Sequence, residues 1–499
     1  MTETSVRVSL TRYPGFNRFV LDWLHEDEAA TRFLPRSPAT RPPGHRKAAV
    51  ADALIRSNRR HGLFVEDQVG QWAAGEAVTL IAGQQVGFAG GPLYTLAKIA
   101  SLIRMKRDLE AAGRKATAFF WLATEDHDFD EVATLTVPVP NRHADLLTLR
   151  VTRAALGSEM VGDLEVPETM IRELVALYAI PRPQWLREGV TFRDSFAELI
   201  AGIFGNELVL VDALLPELRQ AGAPIFEQIN RRWSEVQGEL AKRSAALEAA
   251  GYAPQVTARD GAYTLLFRIN DDGTRSALDA PAALAPERTS TSALTRPLLQ
   301  DFVLAPDVFI GGPAEVAYYA QIAPLHDLLG IAMPRVVLRG HALVAPKRVF
   351  RTLERYAIDG GSVFVNADEL LAEREPDGVA QIDALAAAAR RDLIAKIEQI
   401  GELALPADHA VARAVSRSIG HIEFHFDKLA HRAVRGLVRK DRERFAAVRE
   451  LVATLYPDRH VQDRVAGWIA YWCEYDRYLV DRLIEEIEPD SPNFKVVSL

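Results

Sequence analysis

Four short apolar runs, each separated from the next by helical patterns, constrain this chain more than any other feature. They are AVTLIA (77–82), TAFFWLA (117–123), ELVLVD (207–212) and MPRVVL (333–338). None shows the alternation of a strand with one wet face. A near-continuous apolar strand is buried on both sides, and parallel neighbours need crossover connections whose helices supply that cover. Stretches such as PLYTLAKIASLIRMKRDLEAAG and PELRQAGAPIFEQINRRWSEVQGELAKRSAALEAAG lie between the runs. The expected fold class is therefore α/β, with a parallel sheet between helical layers.

Other segments divide the chain. Residues 1–74 are mixed and charged, with a Pro-rich connection at 36–46 (RSPATRPPGHR), and are expected to pack on the core. Within a discontinuous core at 75–365, two insertions are expected. One, near 140–200, carries the strand-like DLLTLRVT and then helices. The other, near 252–295, holds QVTARDGAYTLLFRI, with period-2 alternation around Asp260-Gly261, a hairpin signal. From 366 the texture is charged and helical, with Pro406 between two long stretches. An antiparallel coiled coil is expected over 366–456, then a helix at about 460–488 and a tail, within 457–499. Such an arm buries little alone, so it packs back on the core or makes a dimer.

Composition excludes several function classes. A net charge of -8 over 499 residues argues against a general grip on nucleic acid, whose phosphate backbone calls for a concentrated basic face. No apolar run reaches the length of a membrane span, and MTETSVRVSL lacks a basic and apolar leader, so a cytoplasmic protein is expected. The lone cysteine, Cys473, forms no internal disulfide and reads as a buried apolar residue.

Ligands in open α/β sheets sit beyond the carboxyl ends of the strands. Three segments fall at such places. GQQVGFAGGPLYTLAKI follows the first run and supplies Gly83, Gln84, Gln85, Gly87, Gly90, Gly91 and Tyr94. Glycines allow close backbone approach, Pro92 suits a first helical turn whose N–H groups favour an anion, and the two amides can orient a polar ligand. The alternative is a tight turn that binds nothing. After the second run come Glu125, Asp126, His127 and Asp128, in TEDHDFDE. Crowded carboxylates around a histidine make His127 or a flanking acid a candidate general base. A solvated helix start is the alternative, and a metal site a third reading whose ion stays open. The third segment, FIGGPAEVAYYAQI, repeats the aromatic-x-Gly-Gly-Pro-helix design of the first and brings Gly311, Gly312 and Glu315. The preceding TRPLLQD adds Arg296 as a carboxylate clamp, with Gln300 and Asp301. Two such turns suggest paired helix N-termini converging on one cleft; a pair of structural turns is the alternative. His421 and His425 form H-x-x-x-H around Glu423, which is not H-E-x-x-H, and read as surface or seam histidines. The RGLVRKDRERF run reads as a solvated helix face.

Taken in order, GQQVGFAGGPLYTLAKI, FFWLATEDHDFDEV, TRPLLQD and GGPAEVAYYAQ, with LYPDRHVQDRV and the closing FKVVSL, resemble the cysteine-adding BshC enzymes of bacillithiol biosynthesis across essentially the whole chain. The resemblance implies a Rossmann-like core with two inserted connecting segments and a C-terminal coiled-coil arm that forms a homodimer. It implies a ligase that joins the carboxyl of cysteine to the amine of glucosaminyl malate. The family's glycine-glutamine motif falls on Gly83, Gln84, Gln85 and Gly87, and its acidic-histidine motif on Glu125, Asp126, His127 and Asp128. The architecture is similar to class I synthetase-type nucleotidyltransferases, yet the chain has neither H-x-G-H nor K-M-S-K-S. ATP with Mg²⁺ is thus one open option for the energy source, with no tightly bound cofactor and no resident metal expected. Two rival readings stand beside the ligase: a non-catalytic dimeric scaffold and a metal-dependent amide hydrolase.

Overall fold

Five strands make the central sheet: β1 (Val78–Gln84), β2 (Ala116–Leu122), β3 (Val209–Asp212), β4 (Val308–Gly311) and β5 (Arg335–Leu338). All neighbours are parallel, in the order β5-β4-β1-β2-β3. The computed structural model describes residues 5–36, 50–127, 129–150, 159–256, 265–404 and 410–499. Every residue of β2 is buried, as its unbroken apolar sequence requires. The four runs read as strands are β1, β2, β3 and β5. Strand β4 escaped that reading because VFIG is four residues long and runs directly into Gly-Gly-Pro, which reads as a turn.

Helix α1 (Leu93–Ala111) returns the chain from β1 to β2, and α2 (Pro313–Leu329) returns it from β4 to β5. The chain leaves β1 toward one side of the sheet and β4 toward the other. Their adjacent carboxyl ends are therefore the topological switch point, where an open α/β sheet leaves a crevice.

Between β2 and β3 lie an antiparallel hairpin (Thr134–Val139 with Arg142–Arg150) and helices including Glu168–Tyr178 and Phe192–Phe204. The last is capped by Thr191, whose hydroxyl accepts from the Asp194 N–H at 3.1 Å. Between β3 and β4 stands a small antiparallel sheet of Leu266–Ile269, Arg275–Ala277 and Thr289–Thr291. The expected Asp260-Gly261 turn lies outside the described residues.

A second three-stranded sheet joins the chain's two ends. Ser5–Ser9 pairs antiparallel with Asn493–Ser498, which pairs parallel with His341–Ala345. The expected single helix at 460–488 is instead three: Gln462–Val465, Ile469–Tyr475 and Arg477–Glu486. The first break is extended backbone at Ala466, the second Asp476 with a positive φ of 48°.

These elements form one unit, Met1–Pro346 with His460–Leu499; Lys347–Arg459 form a second. The helical unit thus begins ahead of the change in sequence texture at 366. Its long helices, Pro376–Ala404 and Val411–Val438, pair with each other, and Arg390 reaches Asp427 across them at 3.0 Å. Pro406 lies outside the described residues. The following run breaks before Arg442–Leu455, where Asp441 caps the new helix by accepting from the Arg444 N–H at 3.0 Å. No helix among the described residues is long and apolar enough to cross a membrane.

Candidate functional site

A cleft of about 540 Å³ opens at the switch point of the central sheet. Its wall is built from the ends of β1 (Gly83, Gln84) and β2 (Trp121), the segment after β2 (Glu125–His127), the start of α2 (Gly312, Glu315) and the small antiparallel sheet (Phe267, Arg275, Thr291). Gly83 stands opposite Trp121 in the parallel register. A Cβ at Gly83 would run into the Trp121 Cβ and carbonyl, so glycine is the residue that lets the indole lie there.

One buried ion pair ties β1 to α2. Lys98, on α1, is 5% exposed and pairs with Glu315. The same ammonium donates to the Gly83 carbonyl at 2.9 Å and to Gln84 Oε1 at 2.8 Å. Its three donors are thereby matched, and one of them fixes which way the Gln84 amide faces. Gln84 Nε2 lies 3.4 Å from the Tyr94 hydroxyl. Glu315 Oε2 also accepts from its own helix's Gly312 N–H at 2.7 Å. Burial alone would raise the Glu315 pKa. The pull of Lys98 and Arg296 and the Gly312 hydrogen bond outweigh it and hold the carboxyl below its ordinary range.

The acid-histidine segment splits into different jobs. Glu125 is a buried part of the cleft wall, paired with Arg219 and bonded to Ser290 Oγ and Thr291 Oγ1, each at 2.7 Å. Burial pushes its pKa up, but Arg219, Arg275 and these hydrogen bonds push it down further, so it is an ionised tie between β2 and the small sheet. Both of its oxygens are committed to these partners. Asp126 faces the cleft, accepting from Gln85 Nε2 at 2.6 Å and from the His127 N–H at 2.7 Å. The His127 ring is half exposed, and its Nδ1 accepts from Arg275 Nε at 2.9 Å and Nη2 at 2.5 Å. A guanidinium only donates, so Nδ1 carries no proton and Nε2 does. In this arrangement the His127 Nδ1 lone pair is taken by Arg275, and Nε2 is left as a donor. Asp128 lies outside the described residues.

Arg296 lines the cleft and donates to the Tyr318 hydroxyl at 2.5 Å and to Gln300 Oε1 at 2.8 Å. Gln300 and Asp301 do not line it. Both are buried behind Arg296, where Gln300 Nε2 donates to Asp301 at 3.1 Å and Asp301 meets His326 Nε2 at 2.9 Å. They support the arginine from behind.

The two Gly-Gly-Pro turns also part company. Gly312 lines the cleft, with Gly311 just behind it. Gly87, Gly90 and Gly91 do not line it. The Trp468 indole donates to the Gly90 carbonyl at 3.0 Å, and the Leu93 N–H at the start of α1 donates to Ala466 O at 2.8 Å. That helix N-terminus is spent on the C-terminal tail, so the expected convergence of two N-termini on one ligand does not occur.

Several functional side chains escaped the sequence reading. Lys98 sat in an otherwise apolar stretch, LYTLAKIA, which was a usable signal. Arg339 follows β5 directly, the same strand-end position that marked the other segments. Arg275 and Arg464 had no local signal, because tertiary folding brings them in, whereas Tyr318 stands in the second Gly-Gly-Pro segment at the start of its helix, as Tyr94 does in the first. The cleft carries Lys98, Arg275, Arg296, Arg339 and Arg464 against Glu125, Asp126 and Glu315. It is cationic in a chain of net charge -8. The described residues contain no group of three His, Cys, Asp or Glu side chains placed to hold a metal ion.

Comparisons with known proteins agree with this architecture. Residues 25–284 and 271–340 match the family model described as "Bacillithiol biosynthesis BshC, N-terminal Rossmann-like domain". Residues 342–499 match "Bacillithiol biosynthesis BshC, C-terminal coiled-coil domain". Among curated relatives, a Koribacter versatilis protein named "Putative cysteine ligase BshC" is 29% identical, over 96% of this chain and 97% of its own. Proteins of the same name from Solibacter usitatus and Bacillus cereus are 28% and 27% identical, over 84% and 82% of each chain.

Proposed function

Because the chain belongs to the BshC family of bacillithiol biosynthesis, we propose that it is an amide-forming ligase acting on L-cysteine and glucosaminyl malate. The observation that carries this reading is the cationic surplus of the switch-point cleft, because it suits an acceptor bearing two carboxylates. Arg296 and Arg339 are placed to hold such groups, each kept in position by buried partners. Gln84, its amide direction fixed by Lys98, offers donors to hydroxyls. Asp126 and Gln85 supply the acidic and amide partners for an amine that must lose a proton before it attacks.

Joining a carboxylate to an amine forms a C–N bond and releases the elements of water, so the carboxyl must first be activated. ATP with Mg²⁺ is the proposed source, with phosphates received on the arginine wall and Mg²⁺ carried in by the nucleotide, which needs few protein ligands. The coiled-coil unit is proposed to join two copies of the chain. Mass spectrometry after incubation with cysteine and glucosaminyl malate, with and without ATP and Mg²⁺, tests the reading. Amide product that requires ATP is expected; no product in either tube, with no binding of glucosaminyl malate by calorimetry, would overturn it.

A further inference from the structure

Trp121 and Arg339 both line the cleft, and among the described residues two of their buried N–H donors, Trp121 Nε1 and Arg339 Nε, have no hydrogen-bond partner. Neither residue is loosely placed. Trp121 is fully buried at the end of β2, and Arg339, 2% exposed, is the first residue after β5. The other nitrogens of Arg339 are committed. Nη2 donates to Asp463 Oδ2 at 2.7 Å and Nη1 to the Gly340 carbonyl at 3.0 Å. Asp463 belongs to the short helix Gln462–Val465 of the C-terminal tail and is itself 1% exposed. Its carboxylate therefore clamps the end of the guanidinium. The Nε edge is left beside Gly312, where a Cβ would lie 3.8 Å from Nε.

Buried donors are almost always satisfied, and an unmet one on a cavity wall marks where a ligand atom or water belongs. We infer that Trp121 Nε1–H and Arg339 Nε–H take oxygen acceptors of an oxyanionic ligand, a carboxylate or a phosphate, and that Asp463 is the positioning residue that presents Arg339 to it. The inference shares with the ligase reading the assignment of this cleft as the reacting site, and leaves the ligand's identity to the test. It makes the tail, more than 100 residues beyond β5, a working part of the recognition wall. Both donors serve specificity: a ligand lacking an acceptor oxygen leaves them unmet.

Calorimetry on the full chain tests it, with glucosaminyl malate as the carboxylate probe, ATP as the phosphate probe and methyl glucosaminide, which carries no oxyanion, as a control. Trp121→Phe keeps the ring and removes the N–H. It is expected to weaken one or both oxyanionic probes about tenfold with methyl glucosaminide unaffected. Asp463→Ala is expected to cause a similar loss, and Asp463→Asn, which keeps an oxygen for Nη2, to recover most of it. A loss on glucosaminyl malate supports the inference with a carboxylate as the oxyanion. A loss on ATP alone supports it with a phosphate, and removes the acceptor site from the ligase reading. Unchanged affinity for both probes in Trp121→Phe would overturn it, since water alone would then complete these donors. A uniform loss that includes methyl glucosaminide would overturn it as a packing effect, and a wild-type protein that binds neither probe would overturn it outright.

Discussion

The chain uses the same motif twice and gives it two different fates. Phe88-Ala89-Gly90-Gly91-Pro92 and Phe309-Ile310-Gly311-Gly312-Pro313 both lead a helix away from the end of a β-strand. At the first turn, Gly90 has φ of 87° and the Trp468 indole lies where a Cβ would be, so the turn is a socket for the tail. At the second, Gly312 has an ordinary φ of -76° and its helix start is closed by its own Glu315, which pairs with Lys98 on the cleft wall. A Gly-Gly-Pro signal identifies a close backbone approach. What approaches, a tryptophan or a ligand, is decided by chain segments hundreds of residues away.

The largest expected effect breaks the second turn. Glu315→Ala leaves the Lys98 ammonium buried without its carboxylate, and should cost about 3–5 kcal/mol of unfolding free energy in a urea titration. The double variant Lys98→Met with Glu315→Leu should recover most of that stability and none of the ligase activity, because Gln84 loses its anchor.

The next effect reads the tail, which docks on the first turn at Trp468, lines the cleft with Arg464 and holds Arg339 through Asp463. His341 lies 3.6 Å from Asp463, and burial first, then Arg339, pushes its pKa down from 6.5 to about 4. Between those values the unfolded chain binds a proton that the folded chain does not. Stability contributed by the neutral ring is therefore complete above pH 6.5 and is lost as pH falls toward 4, by about 3 kcal/mol in all. Unfolding titrations from pH 7 to 4 should show this slope, and His341→Phe should show one proton less. A slope unchanged by the substitution would contradict the assignment.

The smallest effects separate the turns directly. Gly90→Ala meets both the positive φ and the Trp468 ring and should lower stability by about 2 kcal/mol. In Gly312→Ala the new Cβ would find its nearest neighbour, Glu315 Oε2, at 3.5 Å, and the change should cost less than about 0.5 kcal/mol. Equal losses at the two sites would erase the distinction between socket and cleft.

Much of the fold was legible because fully buried parallel strands leave an unmistakable apolar run, as in TAFFWLA. The sheet that joins Ser5–Ser9 to Asn493–Ser498 was not, since its pairing spans nearly the whole chain and each strand alone is unremarkable. The helix breaks at 439–441 and at Asp476 involve neither Gly nor Pro, and so lacked the usual punctuation. For the cleft, the rule that ligands sit at strand ends found Gln84, Gln85, Asp126, His127, Arg296 and Glu315. It could not separate Glu125 from Asp126, neighbours in sequence of which one is buried against Arg219 and the other, less buried, accepts from Gln85. Nor could it supply Arg275, which arrives from an inserted sheet to take the His127 lone pair.

The most direct test of the account is the yield of amide product, by mass spectrometry, from cysteine, glucosaminyl malate, ATP and Mg²⁺ with Gln84→Ala beside the wild type. Gln84 is half-buried and packs no core, so the variant should melt as the wild type does while its product falls to on the order of one hundredth or less. Wild-type yield from a folded Gln84→Ala protein would contradict the placement of the reaction at the switch-point cleft.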